Sequence, residues 1–561
     1  MTAIRIDARA RLLAALAAST IFSGAALGPC FAAGNPAASF GTATPIKHIV
    51  IIFQENVSFD HYFGTYPKAA NNGDGPAFTP VDPTPTPNGL TGGLIGQNPN
   101  FAQPFRLTPA EAYTCDQDHG YTDEEKAADG GLMDNFKVVS RNSVGCKADG
   151  STVMGYYDGN TVTALWNYAQ NFAMSDNSFN SIFGPSTPGA LNLISGQTHG
   201  SKLFTHVTGT PVPLSPAPGT TLGSNFIGTD GLGSVIGDPD PLIDDCSPVG
   251  TAASPRTLIE ISPTNKNVGD LLNAKNISWG WFNGGFRLTA PGVCGASHIG
   301  HPNVPNTTVN NPGGAFNIHS VVTDYVPHHQ PFQYYASTAN PHHLPPSSPS
   351  QIGLQSDQAN HQYDLADFFS ALQNHTLPAV SFLKPPAYQD GHPGNSDPIS
   401  EQTFLVQTIN QLMQSQEWSD MAIIIAYDDS DGWYDHVLGP IVNPSNTATG
   451  TPPVDALAGP GNCGTPVAGA FQARCGYGPR TPLLAISPFA KVNYVDHTVT
   501  DQSSILRFIE DNWQLGRIDG NSPVAGQQSF DQLAGSLENL FDSEAESGRS
   551  RRLLLDPASG N

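Results

Sequence analysis

His48–Phe53 reads HIVIIF and runs straight into Gln54-Glu55-Asn56. A short run of apolar, mostly β-branched side chains falls below the length of a typical helix and fits a strand buried on both faces. The same grammar recurs along the chain. Met421–Tyr427 (MAIIIAY), the clearest buried strand, is followed by Asp428-Asp429. Ala379–Leu383 (AVSFL) leads into a loop that ends in His392, and Ser186 lies downstream of a strand candidate at Phe172–Ser175. Ile277–Phe282 and Pro482–Ile486 are further strand candidates. Helical spacing marks Thr163–Gln170, Glu401–Gln416 and the stretch carrying Ile505, Phe508, Ile509 and Trp513. Strands alternating with helices predict an α/β fold, its central sheet mostly parallel with helices on both faces. Ligands in such sheets bind beyond the carboxyl ends of the strands. That edge is where these carboxylates, the hydroxyl and the histidines fall.

The rest of the composition frames this core. Of 561 residues only 13% are charged, against roughly 25% in a typical soluble domain. With 57 Gly and 49 Pro, the chain predicts long loop insertions, at about residues 71–104 and 205–265. The formal net charge of −24 gives no electrostatic attraction to nucleic acid or anionic lipid. At the start, Arg5, Arg9 and Arg11 precede a mostly apolar stretch from Leu12 to Leu27, and Ala32-Ala33 offers a cleavage point. Residues 1–33 therefore read as a secretory signal peptide, not a transmembrane segment, and place the mature chain in the periplasm or outside the cell. One domain then covers 34–540, with 541–561 as a C-terminal tail. Past the leader six cysteines remain: Cys115, Cys146, Cys246, Cys294, Cys463 and Cys475. An even number after export predicts disulfides. Neighbour-to-neighbour pairing is the simplest arrangement, with other connectivities open.

Glu55 and Asn56 supply a carboxylate and an amide oxygen, hard donors suited to a divalent cation. The competing reading makes Asn56 an exposed helix cap. Asp428 and Asp429 are adjacent carboxylates that repel unless a cation lies between them. Asp431, Asp435 and His436 follow closely and can orient them. Ser186, in the turn FGPSTPG, can act as a nucleophile if a metal or base activates it. His119, His328, His329, His342, His343 and His392 sit in loops, where histidine can bind metal, clamp phosphate or protonate a leaving group.

IKHIVIIFQENVSFDHYFGTYP, FGPSTPG, YVPHHQPFQYY, DGHPGNSDPISEQTFL, IIIAYDDSDGWYDHV and GPRTPLLAISPFAK together resemble the bacterial phosphoesterase family of phospholipases C and respiratory-burst-inhibiting acid phosphatases. The resemblance spans about residues 45–515. It implies an alkaline-phosphatase-like three-layer core and an exported, metal-dependent phosphoric-ester hydrolase working through a phosphoserine intermediate. It further implies that Glu55, Asn56, Asp428 and Asp429 bind the metal with Ser186 bridging as nucleophile. His119 and His329, with Asn56, would contact the phosphate, and His392 would be the general acid; sequence does not separate His328 from His329. The chain departs from the family where Pro188 is followed by Gly189-Ala190. Serine at the nucleophile position tilts the expectation to phosphomonoesters and an acid phosphatase. The alternative is a phospholipase C in transient contact with a lipid surface, for which Trp281, Trp433 and Tyr434 could cage a quaternary ammonium. A third possibility is an inactive exported binding protein on the same fold. Oxygen-rich ligands admit calcium, magnesium or manganese, and a histidine would admit zinc or iron; metal identity and oligomeric state stay open.

Overall fold

The chain is a mixed α/β protein built on one large sheet. The computed structural model describes residues 36–561 apart from 141–148, 208–209, 305, 307, 312–313, 451–452, 521–523 and 543–550. The leader expected at 1–33 therefore lies outside the described residues. Eight strands form the sheet: β1 (His48–Gln54), β2 (Ala173–Ser175), β3 (Trp279–Asn283), β4 (Gln362–Asp364), β5 (Val380–Lys384), β6 (Met421–Tyr427), β7 (Leu483–Ile486) and β8 (Tyr494–Asp496). Their spatial order is β4-β3-β5-β1-β6-β7-β2-β8. Every residue of β1 and of β6 is buried, which explains why both read as unbroken apolar runs. Ile49 to Ile52 pair in parallel with Val380 to Leu383, and His48 to Gln54 with Met421 to Tyr427. This register brings Glu55 beside Asp428 at one edge of the sheet.

The sheet is mixed. β7 runs antiparallel to both β6 and β2, while the other five pairings are parallel. A strand's apolar pattern carries no direction, so the reversal was invisible in PLLAI.

Seven helices matter for the site: α1 (Phe59–Phe63), α2 (Tyr121–Ala128), α3 (Thr163–Asn171), α4 (Ser186–Ser195), α5 (Leu365–Gln373), α6 (Pro398–Gln414) and α7 (Gln502–Trp513). α6 starts ahead of the expected Glu401 because Asp397 caps the Ile399 and Ser400 N–H groups and Pro398 takes the first helical position. Asp501 caps α7 and also accepts from the Ser181 hydroxyl, tying that helix to the loop before Ser186.

The 205–265 insertion is mostly loop but carries short strands. With His199–His206 it forms a six-stranded antiparallel sheet of short strands, including Arg256–Ile261, Gly233–Val235 and Asn225–Ile227. Residues 71–104 are irregular apart from a helical turn at Gly92–Gly96. In the C-terminal stretch, Leu555 is buried and bonds Asn410 of α6, and Arg551 donates to the Ser487 and Ala490 carbonyls. Cys246–Cys294 and Cys463–Cys475 are disulfides, as neighbour pairing predicts. Cys115 is also disulfide-bonded; its expected partner Cys146 lies outside the described residues. Among the described residues no helix is long and apolar enough to cross a membrane.

Candidate active site

Four segments converge where β1, β5 and β6 end. Glu55 and Asn56 leave β1, Asp428 and Asp429 leave β6, Ser186 opens α4, and the loop after β5 carries Asp390 and His392. Glu55, Asn56, Asp428, Asp429 and Ser186 are all at most 3% exposed. Asn56 does not cap a helix; Ser58 caps α1. Instead Asn56 adopts φ of 52°, a left-handed conformation that asparagine tolerates. This turns its backbone N–H onto Asp428 Oδ1 at 3.0 Å.

The acceptors outnumber the donors. Ser186 Oγ is 3.1 Å from Asp429 Oδ2 and 3.3 Å from Glu55 Oε2, and its single proton can serve one of them. The Asn56 amide oxygen faces Glu55 Oε2 at 2.7 Å and Asp428 Oδ1 at 3.2 Å. Turning the amide over would make these hydrogen bonds and let the oxygen accept from His392 Nε2 at 3.3 Å. A cation among the same oxygens would also relieve the crowding of acceptors. Burial pushes Asp428 up to about 6, with Glu55 adding to it and Lys384 opposing. Burial likewise holds Asp429 well above the usual carboxylate range. The residues present fit a hard divalent ion.

Three histidines meet this cluster in different states. Burial alone would lower His119, but Asp429, Asp431 and Asp116 outweigh it and raise it well above its ordinary value. Its Nδ1 donates to the Gln117 carbonyl at 2.8 Å, leaving Nε2–H for a ligand. His329 is driven the other way, by burial and then by His328 and Lys384. Its Nδ1 is 2.9 Å from Glu55 Oε1. His392 accepts the Gly394 N–H at Nδ1 (3.0 Å), which puts its proton on Nε2. His328 instead pairs with Asp240 at 3.5 Å. The second Pro-His-His does not join: His342 pairs with Asp245, and His343 is buried against Asp244 and Phe286. Nor is there an aromatic cage from Trp281, Trp433 and Tyr434. Trp281 lies in the sheet core, Trp433 stacks on His61 and Tyr434 packs on Phe136.

Of the residues after Asp429, Asp431 accepts the Gln117 N–H and lies 3.5 Å from His119, so it orients that ring. Asp435 and His436 turn away to a buried network with Asp60 and Arg480.

Residue reading missed several participants. Lys384, the last residue of β5, is 1% exposed and reaches both Glu55 and Asp428. Asp238, from the insertion, accepts the Thr187 N–H at 2.9 Å. Glu124 of α2 accepts the Gly184 N–H at 2.7 Å and the Ser430 hydroxyl at 2.6 Å, joining the Ser186 turn to the Asp429 turn. Nothing in YTDEE distinguishes Glu124 from a solvated acid; only its burial does.

Burial pushes Glu124 from its ordinary 4.5 up to about 7. The fold therefore holds a proton that the unfolded chain releases earlier. The resulting stabilisation is fully present below pH 4.5 and is lost as pH rises through 7. Glu124→Gln should remove up to about 3 kcal/mol of that decline, read as a flatter melting temperature between pH 4.5 and 8. A variant whose pH profile parallels the wild type would refute the assignment.

Gly189 explains the departure after Pro188. A Cβ there would lie 2.1 Å from the Asp428 carbonyl oxygen and 2.8 Å from Gln502 Nε2, so α4 sits directly on the Asp428 backbone. Gly189→Ala should cost roughly 1–3 kcal/mol of stability. A displacement of about 1 Å at Ser186 should also lower turnover on the order of 100-fold. Thermal melts and steady-state rates on one preparation check both.

Ser186 thus lies buried between carboxylates at the N-terminus of α4, an end that favours an anion. The chain belongs to the Phosphoesterase family, whose model matches residues 46–516. It is similar to a non-hemolytic phospholipase C of Burkholderia pseudomallei, 25% identical over 496 residues that cover 84% of this chain and 55% of that one. Phospholipase C B of Mycobacterium tuberculosis is 24% identical over 540 residues, covering 92% and 81%. A non-hemolytic phospholipase C of Pseudomonas aeruginosa is 24% identical over 481 residues, covering 84% and 54%. The chain thus spans about half the length of the Burkholderia and Pseudomonas relatives.

Proposed function

We propose that this chain is a metal-dependent phosphoric-ester hydrolase that acts through a phosphoserine at Ser186, on phospholipid diesters of the phospholipase C kind. The observation that carries the reaction is the seat of Ser186 Oγ, within 3.3 Å of both Glu55 and Asp429 at the start of α4. The relatives' names support the lipid diester. A divalent ion held by Glu55, Asn56, Asp428, Asp429 and Ser186 would lower the serine's pKa and offset phosphoryl charge. Ser186 Oγ attacks phosphorus in line and the bond to the leaving oxygen breaks. His119, held by Gln117, binds a phosphoryl oxygen through Nε2–H. His329, beside Glu55, would contact the phosphoryl group on the other side. His392 points Nε2–H at the leaving oxygen; complete proton transfer requires a doubly protonated ring and hence release of the Gly394 contact. Water then displaces Ser186 with His392 as base. An alkaline-phosphatase-like three-layer core and export after removal of residues 1–33 belong to the same reading.

One observation favours a second reading, an acid phosphatase on phosphomonoesters. The three aromatic residues that could cage a quaternary ammonium are core residues. The test is a side-by-side assay on p-nitrophenyl phosphate, p-nitrophenyl phosphorylcholine and phosphatidylcholine vesicles, with metal analysis of the same sample. Phosphocholine release from the last two supports the lipase. Turnover of the monoester alone selects the phosphatase. No turnover on any of the three by metal-loaded protein supports the inactive binding protein.

A further inference from the structure

We propose that Asp238 selects the phosphoester by charge: a fixed carboxylate at the start of α4, it disfavours dianionic monoesters and admits monoanionic diesters. The inference rests on the phosphoric-ester hydrolase reading above and deepens its choice of substrate. The start of a helix offers its first N–H groups to an anion. In α4 few are left to offer. Pro188, two residues after Ser186, has no N–H. The Thr187 N–H, next along the chain from Ser186, donates to Asp238 Oδ1 at 2.9 Å. Just before the helix, the Gly184 N–H donates to Glu124. The chain's own carboxylates thus occupy donors that would otherwise meet a second phosphoryl charge.

The loop that delivers Asp238 is held on both sides. It reads Gly237-Asp238-Pro239-Asp240-Pro241, and the two proline rings fix φ on either side of Asp240. The Tyr334 hydroxyl donates to the Pro239 carbonyl at 2.6 Å. The Asp240 carbonyl accepts the Ile259 N–H of the second sheet at 3.1 Å. Asp238 is half-buried and bonded in place, so its charge stays at the helix start. The basic side chain nearest to it is already engaged: His328 Nδ1 lies 3.5 Å from Asp240. The Thr187 hydroxyl donates to the His328 carbonyl at 3.4 Å, so Asp238, Thr187 and His328 share one wall beside Ser186. A diester carries one negative charge at neutral pH, whereas a monoester carries nearly two. A carboxylate one residue from Ser186 repels the second charge, the more so where the wall is partly shielded from water. Asp238 touches the Thr187 N–H and not the bond that breaks, so it acts on which ester is held.

The decisive measurement is a ratio of specificities. Full-length, metal-loaded wild type, Asp238→Asn and Asp238→Glu are assayed at pH 7.5 on p-nitrophenyl phosphate, bis(p-nitrophenyl) phosphate and p-nitrophenyl phosphorylcholine, with inorganic phosphate as inhibitor. Asparagine keeps an oxygen for the Thr187 N–H and drops the charge; glutamate keeps the charge. Wild type is expected to favour the bis diester over the monoester. Asp238→Asn is expected to raise the monoester-to-bis-diester ratio of kcat/KM about 10-fold, through a lower monoester KM, and to tighten inhibition by inorganic phosphate by about the same factor. Asp238→Glu is expected to keep the wild-type ratio. A monoester preference in wild type overturns the inference while leaving the hydrolase reading standing, and that result does not depend on any variant folding. An unchanged ratio in folded Asp238→Asn also overturns it. So does a loss confined to the phosphorylcholine ester, which would make the carboxylate a partner of the quaternary ammonium. No turnover of any ester by wild type sinks the hydrolase reading and this inference with it.

Discussion

Ser186→Ala should reduce turnover by at least about 10⁴-fold while leaving the fold in place, with ion binding weakened by the loss of one ligand. The size follows from losing the covalent route altogether: the remaining groups can bind and polarise a phosphoester, but no atom is left at the attacking position. Stability should change little. Ser186 Oγ is a donor squeezed between two carboxylates, and its removal leaves no unsatisfied hydrogen behind. Acid quenching of wild type during turnover of a phosphorus-labelled substrate should trap label on the tryptic peptide containing Ser186, and the variant should trap none. Retention of wild-type turnover by the variant would refute the nucleophile.

Exhaustive removal of divalent ions should lower activity by at least about 100-fold, restored by adding one suitable ion back. The pH dependence has a definite sign. In the ion-free protein burial pushes Asp428 from its ordinary 3.8 up to about 6. Its contribution to stability is thus present below 3.8 and lost as pH rises through 6. A bound cation favours the ionised carboxylate, so ion binding competes with the proton and strengthens as pH rises through the same window. The melting temperature of ion-free protein should fall between pH 4 and 7, and the rise on adding metal should be larger at pH 7.5 than at pH 5. Equal metal-induced shifts at both values would contradict the placement of Asp428 at the ion.

Much of this was legible in HIVIIF and MAIIIAY, because central strands buried on both faces must be apolar throughout, so the polar residue that ends such a run stands out. Glu55, Asn56, Asp428 and Asp429 were found that way, and the structure brings them together with Ser186. Three things were not legible. The direction of β7 was hidden, since a strand's side-chain pattern is the same read either way. The second sheet was hidden because its strands are mostly two or three residues long among glycines and prolines. Lys384 was hidden because it reads as the polar boundary of AVSFL; its meaning comes from the register between β5 and β1. The two Pro-His-His runs show the converse. They look alike as sequence, yet His329 meets Glu55 while His343 meets Asp244, a difference made by tertiary neighbours alone.

The pairing of β1 also governs the order in which the molecule can assemble. Ile49 lies between Val380 and Ala422, both supplied from the far end of the chain. During synthesis the central strand is made first and waits, without a sheet partner, until most of the polypeptide exists. Contacts so distant in sequence close late and slowly. Until then HIVIIF is an exposed apolar strand that must be kept from other chains. The segment that later carries Glu55 is thus, in the nascent protein, an apolar strand without its sheet partners.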